Sequence, residues 1–498
     1  MRSIPDMKSP IKTQPLSGSI FAVTDEDVSK TSDFRRRFMA ATYPFVLLLI
    51  DAAIIVLSFA VILYFHSGVE FFESVSRRVL VCIGLPSLLG VYLVGGYNPA
   101  IPHNSSRFFA EHIIAAVAMA VLSFGMIYSV ISYGVALKSP RLVVGLTLVV
   151  FPVASLSYRY VLGRIQEYFE RDNVICVIGA GTRARDLYTR LARRGRAHQV
   201  IPATFVPDWV GNHLIEDDPD SPVTVSIDQV NFEPTINGRY VERFVIATDT
   251  EKLPEEFSRK MVAALFHRHR IETYESYLRN SMQIQPPCQL SLNWPMLDGF
   301  RLNRSVSYDR AKRVMDISAA LFGFLLASPF LIATAIAVKA TSRGPILFKQ
   351  QRTGFREEPF TIYKFRSMHV GAEKGNKYTQ VNDSRLTPIG GFIRKTRLDE
   401  LPQLWNVLIG DLSLIGPRAE WVDLVQGYEE RFPFYHFRHA VKPGITGWAQ
   451  VNYSYGANDE DTLEKLNYDL YYVRHYSMSL DVTIVVKTIY MMVFGKGM

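Results

Sequence analysis

The sequence predicts three architectures in series: an N-terminal membrane bundle of four α-helical spans, a Rossmann-like α/β middle domain, and a mainly α (α+β) monotopic C-terminal domain with a re-entrant membrane helix. Three observations predict it. Four apolar runs lie at 43–65, 79–96, 112–132 and 141–162. Strand and helix patterns then alternate behind a glycine turn at Gly179 and Gly181. A fifth apolar run, 314–338, is interrupted by Ser328-Pro329 and flanked by positive charge on both sides.

The chain has 498 residues, too many for one domain. Hydrophobic residues make up 48%, clustered rather than spread, and the net charge is +8. In a membrane protein that balance suits anionic headgroups or a phosphorylated substrate. No basic helix with a DNA-reading pattern appears, which argues against nucleic acid. Cys82, Cys176 and Cys288 are far apart, with neither metal spacing nor a disulfide framework. A reducing compartment fits that usage.

Residues 1–34 are polar and Pro/Ser-rich and are expected to form a disordered cytoplasmic tail without a cleavable signal. The region 35–165 is the expected transmembrane domain. Each apolar run is close to the ~20 residues that cross ~30 Å of hydrocarbon. Asp51, inside the first run, is costly in lipid and should face another helix. The cluster Arg35–Arg37 favours an internal N-terminus, and four spans then return the chain to the cytoplasm near Arg159 and Arg164. Against this, Arg77, Arg78, Lys138 and Arg141 fall on the outer side.

The middle domain is expected at 170–285. "NVICVIGAG" reads as a buried strand running into a glycine turn, and "TRARDLYTRLARRG" as the helix behind it. Further strands are read at "ATFVPD", "RFVIATDT" and "IETYES", with a helix around 254–269, giving a parallel sheet. "GAGTRA" is a weak nucleotide fingerprint when alone. A ribose-binding acid should follow after ~20 residues, and Asp208 comes late. A non-catalytic module and a nucleotide-binding one both stay open. The Pro/Asn-rich stretch 286–308 reads as a linker.

The fifth run would reach ~37 Å as a straight helix. Proline inside it removes a hydrogen bond and kinks the axis. Lys312 and Arg313 precede it, and Lys339 and Arg343 follow it. Positive charge at both ends places both on the internal side. Its halves, of ~22 and ~15 Å, are each too short to cross. A re-entrant hairpin turning at Ser328 and Pro329 is therefore expected, with a kinked fifth crossing as the alternative. The last apolar segment, 479–494, carries Asp481 and Lys487. It suits either a helix lying in the membrane interface or one packed on the domain.

Chemistry concentrates in "RLDELPQLWNVLIGDLSLIGPR", 397–418. Pro402 suits the first turn of a helix, which places Asp399 and Glu400 at its positive end. That end, with Arg394 and Arg397, keeps a carboxylate ionised, able to bind Mg²⁺ or attack phosphorus. On these two residues alone, ordinary acidic capping is the competing explanation.

The surrounding blocks decide between them. They are "KRVMDISAALFGFLLASPF", "GPILFKQQRTG", "FTIYKFRSM", "GGFIRKTRLDELPQLWNVLIGDLSLIGPR" and "VKPGITGWAQVN". Over 309–498 the chain resembles the bacterial sugar transferases, the monotopic phosphoglycosyl transferases that act on polyprenyl phosphate. The resemblance implies a catalytic domain in the inner membrane of a bacterium, facing the cytoplasm. It implies transfer of a hexose 1-phosphate from a UDP-sugar, UDP-glucose or UDP-galactose, to undecaprenyl phosphate, with release of UMP. That would be the first membrane step of exopolysaccharide, capsule or O-antigen synthesis. It makes Asp399 the nucleophile of a phosphosugar–aspartyl intermediate and Glu400 its partner, with Mg²⁺ at the dyad. Arg394 and Arg418 would hold phosphate or nucleotide, with Arg397 beside them. Lys364 and Arg366 are further phosphate candidates, or part of a solvated basic face. The family motif Pro-Arg-Pro reads Pro417-Arg418-Ala419 here. The lipid bilayer is an implied partner, and a homodimer is a further expectation.

Two rival classes remain. A membrane NAD-dependent nucleotide-sugar epimerase or dehydratase needs a Tyr-x-x-x-Lys pair, which Tyr308 and Lys312 supply in pattern. The helix carrying it runs straight into the 314–338 run, which makes that pair look accidental. A non-enzymatic scaffold of polysaccharide assembly is the other rival, and the complete acidic dyad argues against it.

Overall fold

The structure, a computed structural model, describes residues 26–67, 74–98, 101–132, 141–169, 173–230, 235–236, 239–248, 253–266, 270–286, 305–372, 385–432, 434–453 and 458–494. Most of the expected tail and the linker stretch 287–304 lie outside the described residues. The chain divides into two compact units. One comprises 1–102 with 115–155, and the other 103–114 with 156–498.

The first unit is helical. Its elements belong to α1 (Glu26–Ser67), α2 (Ser74–Leu93), α3 (Ser106–Ser132) and α4 (Arg141–Phe169). Thr42–Phe65, Ser106–Ser129 and Arg141–Tyr168 are long and apolar enough to cross a membrane, whereas the apolar part of α2, Arg78–Leu93, is shorter. Phe59, Leu63, Val79, Ile83 and Val143 form its buried core. Leu57, Phe65, Val121 and Val149 face outward. Asp51 is fully buried, accepting from the Tyr97 hydroxyl at 2.9 Å and the Ser155 hydroxyl at 3.2 Å. A charge at this depth is tolerated because other helices supply its donors.

The second unit opens with the expected α/β layer. Strands β1 (Val174–Ile178), β2 (Val200–Thr204), β3 (Val225–Ser226), β5 (Arg239–Ile246) and β6 (Ile271–Thr273) pair in parallel, and the short β4 (Thr235–Ile236) adds antiparallel to β5. β1 is buried along its whole length between β2 and β5, which explains its unbroken apolar sequence. Gly179 turns out of β1 at φ +126°, and α5 (Thr182–Arg193) follows. Helices α6 (Glu255–Phe266) and α7 (Tyr274–Tyr277) complete the layer.

The C-terminal region begins with α8, Val306–Thr341. The sequence reading broke this segment into two halves at Ser328-Pro329. The structure instead carries one continuous 36-residue helix with Pro329 inside it. A proline costs its helix one hydrogen bond and some axial bending, and need not end it.

An antiparallel hairpin follows, β7 (Leu347–Thr353) with β8 (Pro359–Phe365). Then come α9 (Gly390–Lys395), α10 (Gln403–Ile409), a parallel pair of β9 (Ser413–Ile415) and β10 (Gly444–Thr446), and the helices α11 (Val422–Arg431), α12 (Trp448–Asn452), α13 (Asp459–Arg474) and α14 (Met478–Phe494). Gly444 is obligatory here: a Cβ on it would sit 2.1 Å from the Gly416 nitrogen. Helix α14 buries Leu480 and Ile484 while Ile489 and Met492 stay exposed, so it packs on the domain and keeps an apolar outer face.

Both parts of this unit share one hydrophobic cluster. Tyr274, Tyr277, Leu278, Met282 and Ile284 of the α/β layer join Trp448, Tyr468, Tyr471 and Tyr472. Polar contacts reinforce it. Trp448 Nε1 donates to the Gln283 carbonyl at 3.0 Å, and Arg190 forks onto Glu464 at 2.7 and 2.9 Å.

Candidate active site

The dyad occupies a 3-10 turn, Leu398–Glu400, rather than the first turn of the helix after it. Arg397 enters this turn in the left-handed region, φ 59°. A non-glycine residue held there costs about 1–3 kcal/mol, and such residues cluster at functional sites. Pro402 stands at the N-cap of α10, one place before the first turn, and Gly410 at φ 102° closes the helix. Asn406, fully buried, pins α10 to β8. Its amide donates to the Thr361 carbonyl at 2.7 Å and accepts from the Tyr363 N–H at 3.1 Å. Arg313 of α8 binds the Val407 and Leu408 carbonyls at 2.6 and 2.7 Å, and Lys442 binds that of Gly410 at 2.7 Å. Cations thus satisfy the free carbonyls at the C-terminal end of α10.

The two carboxylates have opposite surroundings. Glu400 Oε1 accepts from Lys364 Nζ at 3.0 Å and Arg418 Nη2 at 3.1 Å, and Arg397 Nη1 lies 3.8 Å from Oε2. Burial opposes its ionisation, but Arg418 and Lys364 outweigh that and hold its carboxyl far below the usual range. Asp399 is 8% exposed and accepts no hydrogen bond from any described residue. Burial, followed by the adjacent Glu400 charge, raises its pKa against the pull of Lys364, Arg394 and Arg397. Burial also lowers Lys364, offset in part by Glu400, while Glu400 raises Arg418.

A cleft of about 1510 Å³ opens on the dyad. Asp399, Glu400, Arg394, Arg397, Arg418, Lys364 and Arg366 all line it, so the structure brings together every residue singled out around the dyad. Ser328 and Pro329 are not among its lining residues. Arg366 lines the cleft, but its guanidinium donates to the Ser342 and Arg343 carbonyls at 2.8 and 3.1 Å, closing the end of α8. Leu401, Leu404, Ile445 and Met492 give the same cleft an apolar wall. A basic floor with an apolar side suits a phosphorylated, partly hydrophobic ligand.

The family profile "Bacterial sugar transferase" matches residues 307–495. An exopolysaccharide production protein, PSS, of Rhizobium leguminosarum bv. phaseoli is 41% identical over 194 residues, 37% of this chain and 97% of that protein. The chain belongs to the bacterial sugar transferase family. Two longer relatives of the sugar transferase match over the same region. A UDP-N-acetylgalactosamine-undecaprenyl-phosphate N-acetylgalactosaminephosphotransferase of Aeromonas hydrophila is 48% identical over 191 residues, 38% of this chain and 45% of that protein. A UDP-glucose:undecaprenyl-phosphate glucose-1-phosphate transferase of Escherichia coli strain K12 is 45% identical over 185 residues, 36% of this chain and 39% of that protein. The matched region therefore spans less than half the length of these two relatives.

Several residues of the cleft escaped the sequence reading. Arg352, Arg438, Asp469 and Tyr453 line the cleft with the dyad. They sit 30 to 70 residues from the dyad; Arg352 lies within the quoted block 344–354 but was not singled out there, and the other three lie outside the quoted blocks. The Tyr-x-x-x-Lys pattern has a different use. The Tyr308 hydroxyl donates to Asp481 Oδ2 at 2.5 Å, and Lys312 pairs with the same oxygen.

Proposed function

We propose that this sugar transferase moves a hexose 1-phosphate from a UDP-sugar to undecaprenyl phosphate and releases UMP. One observation carries the reading: Asp399 is a buried carboxylate that accepts no hydrogen bond from the described residues, beside a dyad partner already bound by Lys364 and Arg418. Environments that push two carboxyls apart assign them different roles. Asp399 keeps a basic, unencumbered oxygen, as a nucleophile requires. Glu400 anchors Lys364 and Arg418 at the place where phosphate charge develops.

In the first half-reaction an Asp399 oxygen bonds to the sugar-bearing phosphorus. The bond from that phosphorus to the bridging oxygen breaks, and UMP leaves with the electron pair. In the second, an oxygen of the lipid phosphate attacks the same phosphorus and Asp399 departs as carboxylate. Arg394 and Arg418 orient phosphate oxygens through planar guanidinium groups, which Lys would replace poorly.

Mg²⁺ fits this donor set in a limited way. Among the described residues no cluster of three or more His, Cys, Asp or Glu could enclose a metal. Mg²⁺ is commonly bound by one or two carboxylates together with substrate phosphates. Asp399 suits that role. Glu400 suits it less, because Oε1 already accepts from two cations. When bound, the ion would neutralise diphosphate charge. Chelation by EDTA should stop UMP release, and added Mg²⁺ should restore it.

We further propose that α8 is re-entrant and that the catalytic domain faces the cytoplasm of the inner membrane, where it would start an exopolysaccharide, capsule or O-antigen lipid. Both ends of α8 engage the same domain: Arg313 binds α10, while Ser342 accepts from Arg366 and Val338 clusters with Phe365 and Ile393. A single crossing would send those ends to opposite membrane faces. Glucose or galactose is the proposed sugar.

The test is UMP release from purified protein given undecaprenyl phosphate, Mg²⁺ and separate UDP-glucose, UDP-galactose, UDP-N-acetylglucosamine and UDP-N-acetylgalactosamine. Release with one donor, absent from Asp399→Asn, supports the reading and names the sugar. Silence with all four rejects it.

A further inference from the structure

Four consecutive carbonyls around Arg418 are each gripped by a donor. Pro417 O accepts from the Gly444 N–H at 2.9 Å, and Arg418 O from Arg438 Nη2 at 2.9 Å. Ala419 O accepts from Arg352 Nη1 at 3.1 Å, and Glu420 O from the Thr353 N–H at 2.9 Å. These donors come from three separate pieces of the fold: β7, the 3-10 turn Tyr435–Ala440, and β10.

Arg438 is itself immobilised. Its Nε and Nη2 bind Asp469 Oδ2 at 3.1 and 2.7 Å, and its Nη1 donates to the Tyr435 hydroxyl at 2.7 Å. Arg438 is 5% exposed and Asp469 2%. All three of its nitrogens bond protein acceptors. Although Arg438 lines the basic cleft, its donors are committed to the protein rather than to a phosphate.

Only one side of Arg418 carries a covalent restraint: Pro417 precedes it, and Ala419 follows it. Proline fixes its own φ and confines the residue before it. Without one at 419, Arg418 needs another source of rigidity to keep its guanidinium 3.1 Å from Glu400.

We propose that Arg438, held by Asp469, and Arg352 are positioning residues. They fix consecutive carbonyls of the 417–420 loop and thereby aim Arg418 at Glu400. This rests on the transfer reaction proposed above, because the group being aimed belongs to that site.

The full-length chain is tested as Arg438→Lys, Arg352→Lys, Arg418→Lys and each positioning variant combined with Arg418→Lys. Two readouts are taken: kcat and KM for UMP release, and hydrogen exchange at the backbone amides of 416–421. Lysine keeps the charge but cannot reproduce the fork. Misplacing a catalytic group by ~1 Å costs on the order of 100-fold in rate. Arg438→Lys should therefore lose roughly 100-fold in kcat/KM and Arg352→Lys roughly 10-fold, both with faster exchange across 416–421. In the Arg418→Lys background either change should add less than about threefold, because residues acting through one group are non-additive. Losses that multiply in the double variants, or unchanged exchange in both single variants, overturn the inference. Arg352→Lys, at a less enclosed position, keeps the test open should Arg438→Lys fail to fold. A wild-type protein silent with every UDP-sugar defeats the function reading, while the exchange measurement still decides the clamp.

Discussion

Two buried carboxylates of the C-terminal domain both sit among cations but do different work. Asp481, 2% exposed, accepts from the Tyr308 and Tyr472 hydroxyls and pairs with Lys312. Asp399, 8% exposed, lies near Lys364, Arg394 and Arg397 yet accepts no hydrogen bond from a described residue. Both face cations. Asp481 has its donors in place, with tyrosines on two sides and a lysine on a third, so it ties α8 to α14. Asp399 has charge around it but accepts from none of the described residues, which leaves an oxygen available to react. Completeness of hydrogen bonding, more than burial or charge, separates the structural carboxylate from the reactive one.

That contrast can be broken at four places. Asp399→Asn should lower turnover by about 10⁴-fold or more without loss of thermal stability. Retained turnover in a steady-state UMP assay would remove Asp399 as nucleophile. Asp481→Asn should do the reverse. Stranding one side of a buried pair costs about 3–5 kcal/mol. Thermal unfolding should reveal that loss, and molecules that remain folded should keep their kcat.

Glu400→Gln sharpens the comparison through pH. Asp399 must be ionised to attack, so turnover should fall as pH falls through its raised pKa. Burial is the larger cause of that rise and the Glu400 charge the next. Removing the charge should move the acid limb of the kcat profile to lower pH, with kcat itself down by roughly 10–100-fold as Lys364 and Arg418 lose their anchor. A limb that stays in place would show that Glu400 does not tune its neighbour. The smallest effect is expected from Tyr308→Phe. It should cost about 1 kcal/mol of stability for one lost hydrogen bond and leave turnover unchanged. Abolished turnover would mean that Tyr308 serves chemistry as well as Asp481.

Legibility followed sequence distance. Asp399, Glu400, Arg394, Arg397 and Arg418 lie within 25 residues, inside one of the blocks that carry the family resemblance, and that resemblance singled them out together. The strand beginning the α/β layer was legible because β1 is buried on both sides and reads as an unbroken apolar run. Tyr308 and Lys312 were read as an accidental pattern, but their actual use was not legible, because their partner, Asp481, lies 169 residues beyond Lys312. Arg366 was read by charge alone, whereas its acceptors are the Ser342 and Arg343 carbonyls at the end of α8. Pro329 was read as a break, yet the helix continues through it, since one lost hydrogen bond is small beside the ladder on either side.

The shared cluster of Tyr274, Leu278 and Met282 with Trp448, Tyr468 and Tyr471 bears on how this chain can be cut or grafted. The Rhizobium relative is matched over 97% of its length by the C-terminal region of this chain, so a relative of that size exists without such a companion layer. In this chain, trimming before residue 305 would strip the Gln283 carbonyl from Trp448 and expose a band of aromatic rings. The smallest portable piece of this molecule is therefore larger than its family signature: heredity marks the boundary at 307, and wetting of the aromatic seam marks it near 173.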